Sequence, residues 1–247
     1  MKRAAIVTGA SSGIGKEISR VLCEMGYSVF GIGRDFDQKE TEKSERFHPV
    51  VCDLLDTDKL LALVKEIKKE YEVEILVNNA GVGYYGLHEE LNPEKIQRMV
   101  RTNLEVPLIL TNQLLRDLKK TRGCIINISS VTAFQSNPHG CAYGATKAGL
   151  SGFSRSLFDE ARKYGVRVVT IQPDMTQTRL YRNADFEQGK EPESYLLPQE
   201  IAQAVQYILE QREGCVVTEM TVRPQIHRIQ RKRADLSVSR MDQQPIL

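Results

Sequence analysis

Short runs of aliphatic and β-branched residues alternate along this chain with longer stretches in which apolar positions recur every three or four residues. The short runs predict β-strands and the longer stretches predict amphipathic helices. Strands are predicted at residues 4–7, 27–32, 49–53, 73–81, 123–130, 166–173 and 215–224. Helices are predicted at residues 13–25, 56–71, 92–120, 142–163 and 197–211. This alternation predicts an α/β fold with a doubly wound parallel sheet of about seven strands and helices on both faces.

The composition is that of an ordinary globular protein and excludes several classes. With 247 residues, of which 41% are apolar and 27% charged, the chain suits one domain spanning residues 1–247. A formal net charge of +2 gives no bias towards nucleic acid or a membrane, and no apolar run is long enough for a signal peptide or a membrane span. The five cysteines form no Cys-x-x-Cys pair and the four histidines are dispersed. We therefore expect a reducing, cytoplasmic location and no metal site.

A glycine-rich turn follows the first predicted strand and opens the first predicted helix. Its residues are Gly9, Ser11, Ser12, Gly13, Ile14 and Gly15. Glycines here permit a tight turn and close approach of the backbone to a pyrophosphate, and the free N–H groups of the helix attract phosphate. The turn therefore predicts a dinucleotide site in a Rossmann-type fold, although an ordinary glycine-rich loop could look similar.

Arg34 comes at the end of the second predicted strand, where a dinucleotide-binding fold selects its cofactor. An acidic residue there would bind the adenosine ribose hydroxyls, whereas a guanidinium can pair with a 2′-phosphate. We therefore favour NADP(H) and keep NAD(H) as possible. The alternative is a solvated arginine paired with Asp35.

Tyr143 and Lys147 lie one helical turn apart on one face of a predicted helix. A neighbouring ammonium favours the phenolate, so we expect the pKa of Tyr143 to be lowered, which would make it a general acid or base. Ser130, at the end of the fifth predicted strand, could donate a hydrogen bond to a substrate carbonyl oxygen. Alone, the Tyr143 and Lys147 pair would favour a solvated helix face, because pairs with this spacing are common on any helix.

These residues together resemble the short-chain dehydrogenases/reductases, in their compact single-domain branch. The resemblance covers residues 3–222 and also includes Asp53, Asn78-Asn-Ala-Gly81 and Asn103. It implies that Tyr143, Lys147, Ser130 and Asn103 are catalytic, with Asn103 holding a water that links Lys147 to solvent. It implies a cofactor site formed by Gly9, Ser11, Ser12, Gly13, Ile14, Gly15, Arg34, Asp53, Leu54, Asn79, Ala80, Gly81, Tyr143, Lys147, Pro173, Thr176 and Thr178. Asn79 could instead brace the sheet, and Asn103 could be a polar kink in a helix.

The activity that the resemblance implies is NADP(H)-dependent interconversion of a carbonyl and a secondary alcohol, with no metal ion. A 3-oxoacyl reductase is one specific form of this activity. The rival hypothesis is a cofactor-binding regulatory or interaction module of the same fold. The substrate pocket is expected between residues 82–87, residues 131–139 and a lid at residues 176–196, with Tyr84, Tyr85, Phe134, Tyr181 and Phe186 as its aromatic residues. In relatives the two long helices form a two-fold interface, so we expect a homodimer or homotetramer.

The sequence departs from the family pattern at two places. Asp174 replaces the usual glycine after Pro173, which puts the loop geometry near the nicotinamide in question. The second place is the C-terminal extension, residues 225–247, which carries His227, Arg228, Arg231, Lys232, Arg233 and Arg240. We favour a solvated, loosely packed extension. The alternative is an electrostatic arm for an anionic partner, such as nucleic acid or a carrier protein.

Overall fold

Seven parallel strands form the central sheet of the computed structural model, which describes residues 2–37 and 44–232. The strands of this sheet are β1 (Lys2–Thr8), β2 (Ser28–Gly33), β3 (Phe47–Val51), β4 (Tyr71–Asn78), β5 (Cys124–Ile128), β6 (Arg167–Pro173) and β8 (Glu219–Val222). The helices are α1 (Gly13–Glu24), α2 (Thr57–Glu70), α3 (Pro93–Val100), α4 (Val106–Thr121), α5 (Cys141–Ala161) and α6 (Pro198–Leu209). The predicted doubly wound sheet is confirmed.

The strand order across the sheet is β3-β2-β1-β4-β5-β6-β8, so the winding reverses between β1 and β4. Helices α1 and α6 cover one face through a core that includes Leu22 and Val205. Helices α2, α4 and α5 cover the other face through a core that includes Val64, Leu114 and Leu157. The reversal leaves a crevice at the carboxyl ends of the strands, which is where ligands bind in folds of this kind.

The helix predicted over residues 92–120 is interrupted. Asn92 caps α3 by accepting from Lys95 N at 2.9 Å, and a π-helical turn at Arg101–Glu105 separates α3 from α4. Pro107 lies just after this turn and has no N–H to donate to the preceding turn of helix. The wider π-helical turn accommodates the proline and buries Asn103 completely.

The lid, residues 176–196, holds a 3-10 helix at Arg179–Asn183 and a short strand, β7 (Phe186–Gln188). Strand β9 (Ile229–Arg231) pairs with β7 in antiparallel fashion. Residues 225–232, which we name the C-terminal strap, therefore pack on the lid, and the expectation of a loose extension is wrong for them. Arg233 and Arg240, the remaining basic residues of the extension, lie outside the described residues.

No helix within residues 2–37 and 44–232 is long and apolar enough to cross a bilayer.

Candidate active site

A cavity of about 220 Å³ opens at the carboxyl ends of β1, β2, β4, β5 and β6. The structure brings most of the predicted site residues to its wall. The predicted residues that line it are Gly9, Ser11, Ser12, Gly13, Ile14, Arg34, Asp53, Leu54, Asn79, Ala80, Gly81, Ser130, Tyr143, Lys147, Pro173, Thr176 and Thr178. Gly15 and Asn103 lie behind this wall.

The glycine turn is fastened to β4 by hydrogen bonds to main-chain atoms. Asn79 Nδ2 donates to Thr8 O at 2.9 Å and to Gly9 O at 3.3 Å, while Thr8 Oγ1 accepts from the N–H groups of Asn79 and Ala80, both at 3.0 Å. A β-carbon on Gly15 would lie 2.4 Å from both Gly9 O and Asn79 Nδ2. Only glycine therefore fits at position 15, and Asn79 braces the turn as well as lining the cavity.

The amino end of α1 lines the cavity at Ser12, Gly13 and Ile14. Ser12 is the N-cap residue, yet its side chain makes no capping hydrogen bond, and the first turn carries no acidic side chain. The first N–H groups of a helix lack intrahelical partners and carry partial positive charge. This end of the cavity therefore fits a pyrophosphate.

The adenosine end of the predicted site is formed by residues that follow β2 and β3. Arg34 and Asp53 are exposed at the cavity wall, where Cys52 N donates to Gly33 O at 2.9 Å and brings the two strand ends together, and Leu54 is buried. Asp53 Oδ1 accepts from Leu55 N at 3.0 Å, which fixes the carboxylate at the turn. A cation and a carboxylate thus lie at the same mouth of the cavity.

Tyr143, Lys147 and Ser130 converge at the opposite end of the cavity. Lys147 Nζ donates to Ile128 O at 2.7 Å and lies 5.7 Å from the centre of the Tyr143 ring. The Ser130 hydroxyl is hydrogen-bonded to the Tyr143 phenol and accepts from Thr132 N at 3.2 Å. A buried phenol is therefore held between a hydroxyl and an ammonium, which is an arrangement that can move a proton.

Burial dominates the titration of both groups. It raises the pKa of Tyr143, and the hydrogen bond from Ser130 opposes that rise. Burial also lowers the pKa of Lys147 to about 8. The expectation that the pKa of Tyr143 is lowered is therefore wrong for the chain by itself, because desolvation outweighs the hydrogen bond from Ser130.

Asn103 is tied to the loop that follows β4. Its Oδ1 accepts from Val82 N at 2.8 Å, and its Nδ2 donates to Val82 O at 2.9 Å and to Thr146 Oγ1 at 3.1 Å. A β-carbon on Gly81 would lie 3.6 Å from both Asn103 Oδ1 and Lys147 Nζ, so the two side chains border the same loop. The structure thus gives Asn103 a bracing position beside Lys147.

Asp174 adopts an ordinary backbone conformation, since the only non-glycine residues with positive φ in the described ranges are Arg122 and His139. Its N–H donates to Val222 O at 2.9 Å, and its carbonyl accepts from Thr176 Oγ1 at 2.8 Å. The loop after β6 therefore does not need glycine at this position, and the doubt about its geometry is removed.

The lid closes over Tyr143 with aromatic rings. Tyr85 lies 5.8 Å from Tyr143, 6.1 Å from Tyr181 and 5.1 Å from Phe186, measured between ring centres. Burial raises the pKa values of Tyr85 and Tyr181. We name these three rings, of Tyr85, Tyr181 and Phe186, the aromatic wall.

Of the predicted pocket aromatics, Tyr181 lines the cavity directly. Tyr84 and Tyr85 pack beside it, against the cluster that includes Tyr143, and Tyr84 also lies beside Lys95. Phe134 is 54% exposed and stacks on Arg223, so the prediction that it lines the pocket is not met in this structure.

Sequence reasoning missed three arginines that line the cavity, Arg98 on α3 and Arg179 and Arg182 on the lid. The motif gave no signal for them, although Arg98 is one helical turn before Thr102, which also lines the cavity. In the described ranges no cluster of histidine, cysteine and acidic side chains could hold a metal ion.

The chain is similar to known dehydrogenases in sequence and in structure. The short chain dehydrogenase family model matches residues 3–188. A 3-oxoacyl-(acyl-carrier-protein) reductase of Buchnera aphidicola subsp. Schizaphis graminum is 32% identical over 232 residues, which cover 90% of this chain and 95% of that protein. A serine 3-dehydrogenase of Agrobacterium fabrum is 35% identical over 185 residues, which cover 72% of this chain and 74% of that protein.

Among solved structures, an alcohol dehydrogenase from the archaeon Thermococcus sibiricus, complexed with 5-hydroxy-NADP, superimposes with a TM-score of 0.83 and 28% identity, over 92% of this chain and 99% of that one. A metagenomic short-chain oxidoreductase in complex with NADP gives a TM-score of 0.77 and 29% identity, over 91% of this chain and 98% of that one. The chain therefore belongs to the short-chain dehydrogenase family and is an enzyme of the dehydrogenase/reductase class.

Proposed function

We propose that this chain interconverts a carbonyl and a secondary alcohol with NADP(H), using Tyr143 as general acid and base. The observation that carries the proposal is the convergence of Ser130 and Lys147 on a buried Tyr143 in the cavity that also holds the glycine turn. An intact set of these three residues argues against a purely regulatory module.

The residues that line the cavity suit the two ends of a nicotinamide dinucleotide. The uncapped amino end of α1 would hold the pyrophosphate, and Arg34 and Asp53 would bind the adenosine end. Lys147 and Thr176 would border the nicotinamide end. When bound, this cofactor supplies or accepts the hydride.

The chain's own residues move the proton and orient the oxygen. In the reductive direction the Ser130 hydroxyl donates to the substrate oxygen, and Tyr143 gives that oxygen its phenolic proton as the carbonyl carbon receives hydride. Because burial raises the pKa of Tyr143, the phenol is protonated and ready to donate at neutral pH. The Lys147 ammonium stabilises the phenolate that remains after the transfer.

NADP(H) is the cofactor we favour because Arg34 places a guanidinium at the adenosine end of the cavity. The two structural relatives named above are complexes with NADP or a derivative of it. They are 28% and 29% identical to this chain, which supports the same preference here.

The test combines titration with turnover. We expect tighter NADPH than NADH binding by nicotinamide fluorescence, and NADPH-dependent reduction of ethyl acetoacetate or another ketone in a panel. Tyr143→Phe should lower turnover at least about 100-fold and leave the Kd for NADPH unchanged. Tyr164→Phe is the control, since Tyr164 is 45% exposed and lies beyond the end of α5.

Two results would contradict the proposal. Turnover of Tyr143→Phe within a few-fold of the parent would exclude Tyr143 as the proton donor. Tight NADPH binding without turnover of any ketone or alcohol would favour the regulatory or interaction module.

We also propose a homodimer or homotetramer formed through the interrupted helix α3–α4 together with α5. Val100 and Leu108, on successive parts of this interrupted helix, are 41% and 36% exposed. Leu108→Glu should yield a smaller species in light scattering coupled to gel filtration, and an unchanged mass would move the interface elsewhere.

A further inference from the structure

The C-terminal strap is fastened to the lid by main-chain hydrogen bonds on both sides of the β7–β9 pair. Gly189 N donates to Arg228 O at 3.0 Å, and Ile226 N donates to Glu193 O at 2.9 Å. A β-carbon on Gly189 would lie 3.2 Å from Arg228 Cβ, so the glycine permits the close approach of the two segments. Arg228 also forms an ion pair with Glu191. The strap is therefore part of the lid's structure.

Lys232 makes the strap's most direct contact with the part of the lid nearest the cavity. Its Nζ donates to Tyr181 O at 2.6 Å and to Arg182 O at 3.4 Å, and its N–H donates to Asp185 O at 2.8 Å. An ammonium gives a stronger hydrogen bond to a carbonyl than a neutral donor does. Lys232 does not line the cavity, so it acts on the site only through the lid.

The segment that Lys232 holds carries one ring of the aromatic wall and lies next to another. The Tyr181 and Phe186 rings lie 5.7 Å apart, and both pack on Tyr85. Tyr85 in turn packs on Tyr143. A continuous path of direct contacts therefore joins Lys232 to the proposed proton donor.

We propose that Lys232 is a positioning residue, which holds the aromatic wall closed and so sets how tightly a carbonyl substrate is bound over Tyr143. This inference rests on the proposed function. The family model matches residues 3–188, so the strap, residues 225–232, lies outside the matched segment of this chain.

The experiment uses the full chain with Lys232→Met, Lys232→Arg and a control, Lys190→Met. Lys190 is an exposed lid residue, and its side chain makes no hydrogen bond or ion pair within the described part of the chain. We measure deuterium uptake of lid peptides by mass spectrometry, the Kd for NADPH, and KM and kcat for ethyl acetoacetate. If that ester is not turned over, the best substrate of the ketone panel replaces it.

We expect Lys232→Met to increase deuterium uptake in the lid and to raise KM about tenfold, which is the scale of one lost hydrogen bond from a charged donor. The Kd for NADPH and kcat should stay within about twofold, because Lys232 touches neither the glycine turn nor Tyr143. Lys232→Arg keeps a charged donor, so its lid deuterium uptake and KM should stay close to those of the parent. Lys190→Met should match the parent in both measurements.

Equal lid exchange in Lys232→Met and Lys190→Met would overturn the inference, as would a fall in kcat with KM unchanged. The two proposals fail separately. A chain that reduces no carbonyl contradicts the proposed function, whereas the exchange measurement still decides whether Lys232 holds the lid.

Discussion

The two sides of the cavity are built by different means. On the cofactor side, the amino end of α1 and the turn after β1 approach so closely that a single β-carbon at Gly15 would lie 2.4 Å from Gly9 O. On the lid side, aromatic rings pack at centre distances of 5.1–6.1 Å. There Tyr181 O binds Lys232, a residue 51 positions away in the chain. One side depends on backbone geometry within a short motif, and the other depends on side chains brought together by the fold.

This difference predicts which side tolerates change. A site made of main-chain atoms cannot be adjusted by small side-chain shifts, because close-packed atoms have no room to move. A lid of rings and loop residues can accept substitutions and change which substrate fits. The cofactor side should therefore respond to mutation sharply, and the lid side gradually.

The largest effect should arise where the two sides meet, at Lys147. Lys147→Met removes the ammonium that stabilises the Tyr143 phenolate, so we expect kcat for ketone reduction to fall about 1000-fold. Steady-state kinetics with saturating NADPH measures this. A loss of less than about tenfold would mean that burial and Ser130 alone govern Tyr143.

The same variant should change the pH dependence of stability. Burial lowers the pKa of Lys147 to about 8 from the ordinary value of 10.5, so between these pH values the unfolded chain binds more protons than the folded chain. The parent should therefore gain stability relative to Lys147→Met as the pH rises from about 8 to 10.5, by up to roughly 3 kcal/mol. Urea unfolding of both proteins across this window measures the difference, and parallel pH profiles would contradict the lowered pKa.

A smaller but still large effect is expected from Gly15→Ala, which tests the rigidity of the cofactor side. The new β-carbon would overlap Gly9 O and Asn79 Nδ2, and relief requires the turn to open. We expect the affinity for NADPH to fall about 100-fold, since overpacking costs up to about 3 kcal/mol.

Gly152→Ala is the matched control, because a β-carbon there meets nothing within 4 Å. In the middle of α5 the alanine should raise helix stability by about 0.5–1 kcal/mol and leave the Kd for NADPH unchanged. Similar affinities for the two variants would show that the turn is not rigid.

The cofactor side could be predicted from the sequence because its signals are local. The alternation of strands and helices, the glycine turn, and the spacing of Tyr143 and Lys147 all lie within short stretches, and each follows from backbone geometry. Even there, the sequence pattern did not indicate the interruption of the helix predicted over residues 92–120. The π-helical turn before Pro107 depends on how a proline is absorbed inside an otherwise regular helical pattern.

The lid side could not be predicted in the same way. Nothing in residues 186–188 or 229–231 indicates that these short segments pair, because the pairing depends on where the whole fold brings them. The raised pKa of Tyr143 could not be predicted for the same reason, because it also depends on how the whole fold brings distant segments together. Its neighbour Lys147 is visible in the sequence, but the burial that raises the pKa of the phenol comes from the lid and the loop after β4.

The smallest effect should come from Arg34, an exposed side chain on the otherwise rigid cofactor side. Arg34→Leu removes the cation but no main-chain contact, so the cavity should keep its shape. We expect the affinity for NADPH to fall about tenfold, because an exposed charge acting on a phosphate contributes little more than one hydrogen bond of a charged group.

NADH is the internal control, since it has no 2′-phosphate and should bind both proteins equally. The NADPH effect should also shrink with added salt, as expected for an interaction between exposed charges. Equal weakening of NADPH and NADH would mean that Arg34 contacts the adenine, and unchanged binding of both would mean that the guanidinium faces solvent and that cofactor preference arises elsewhere in the cavity.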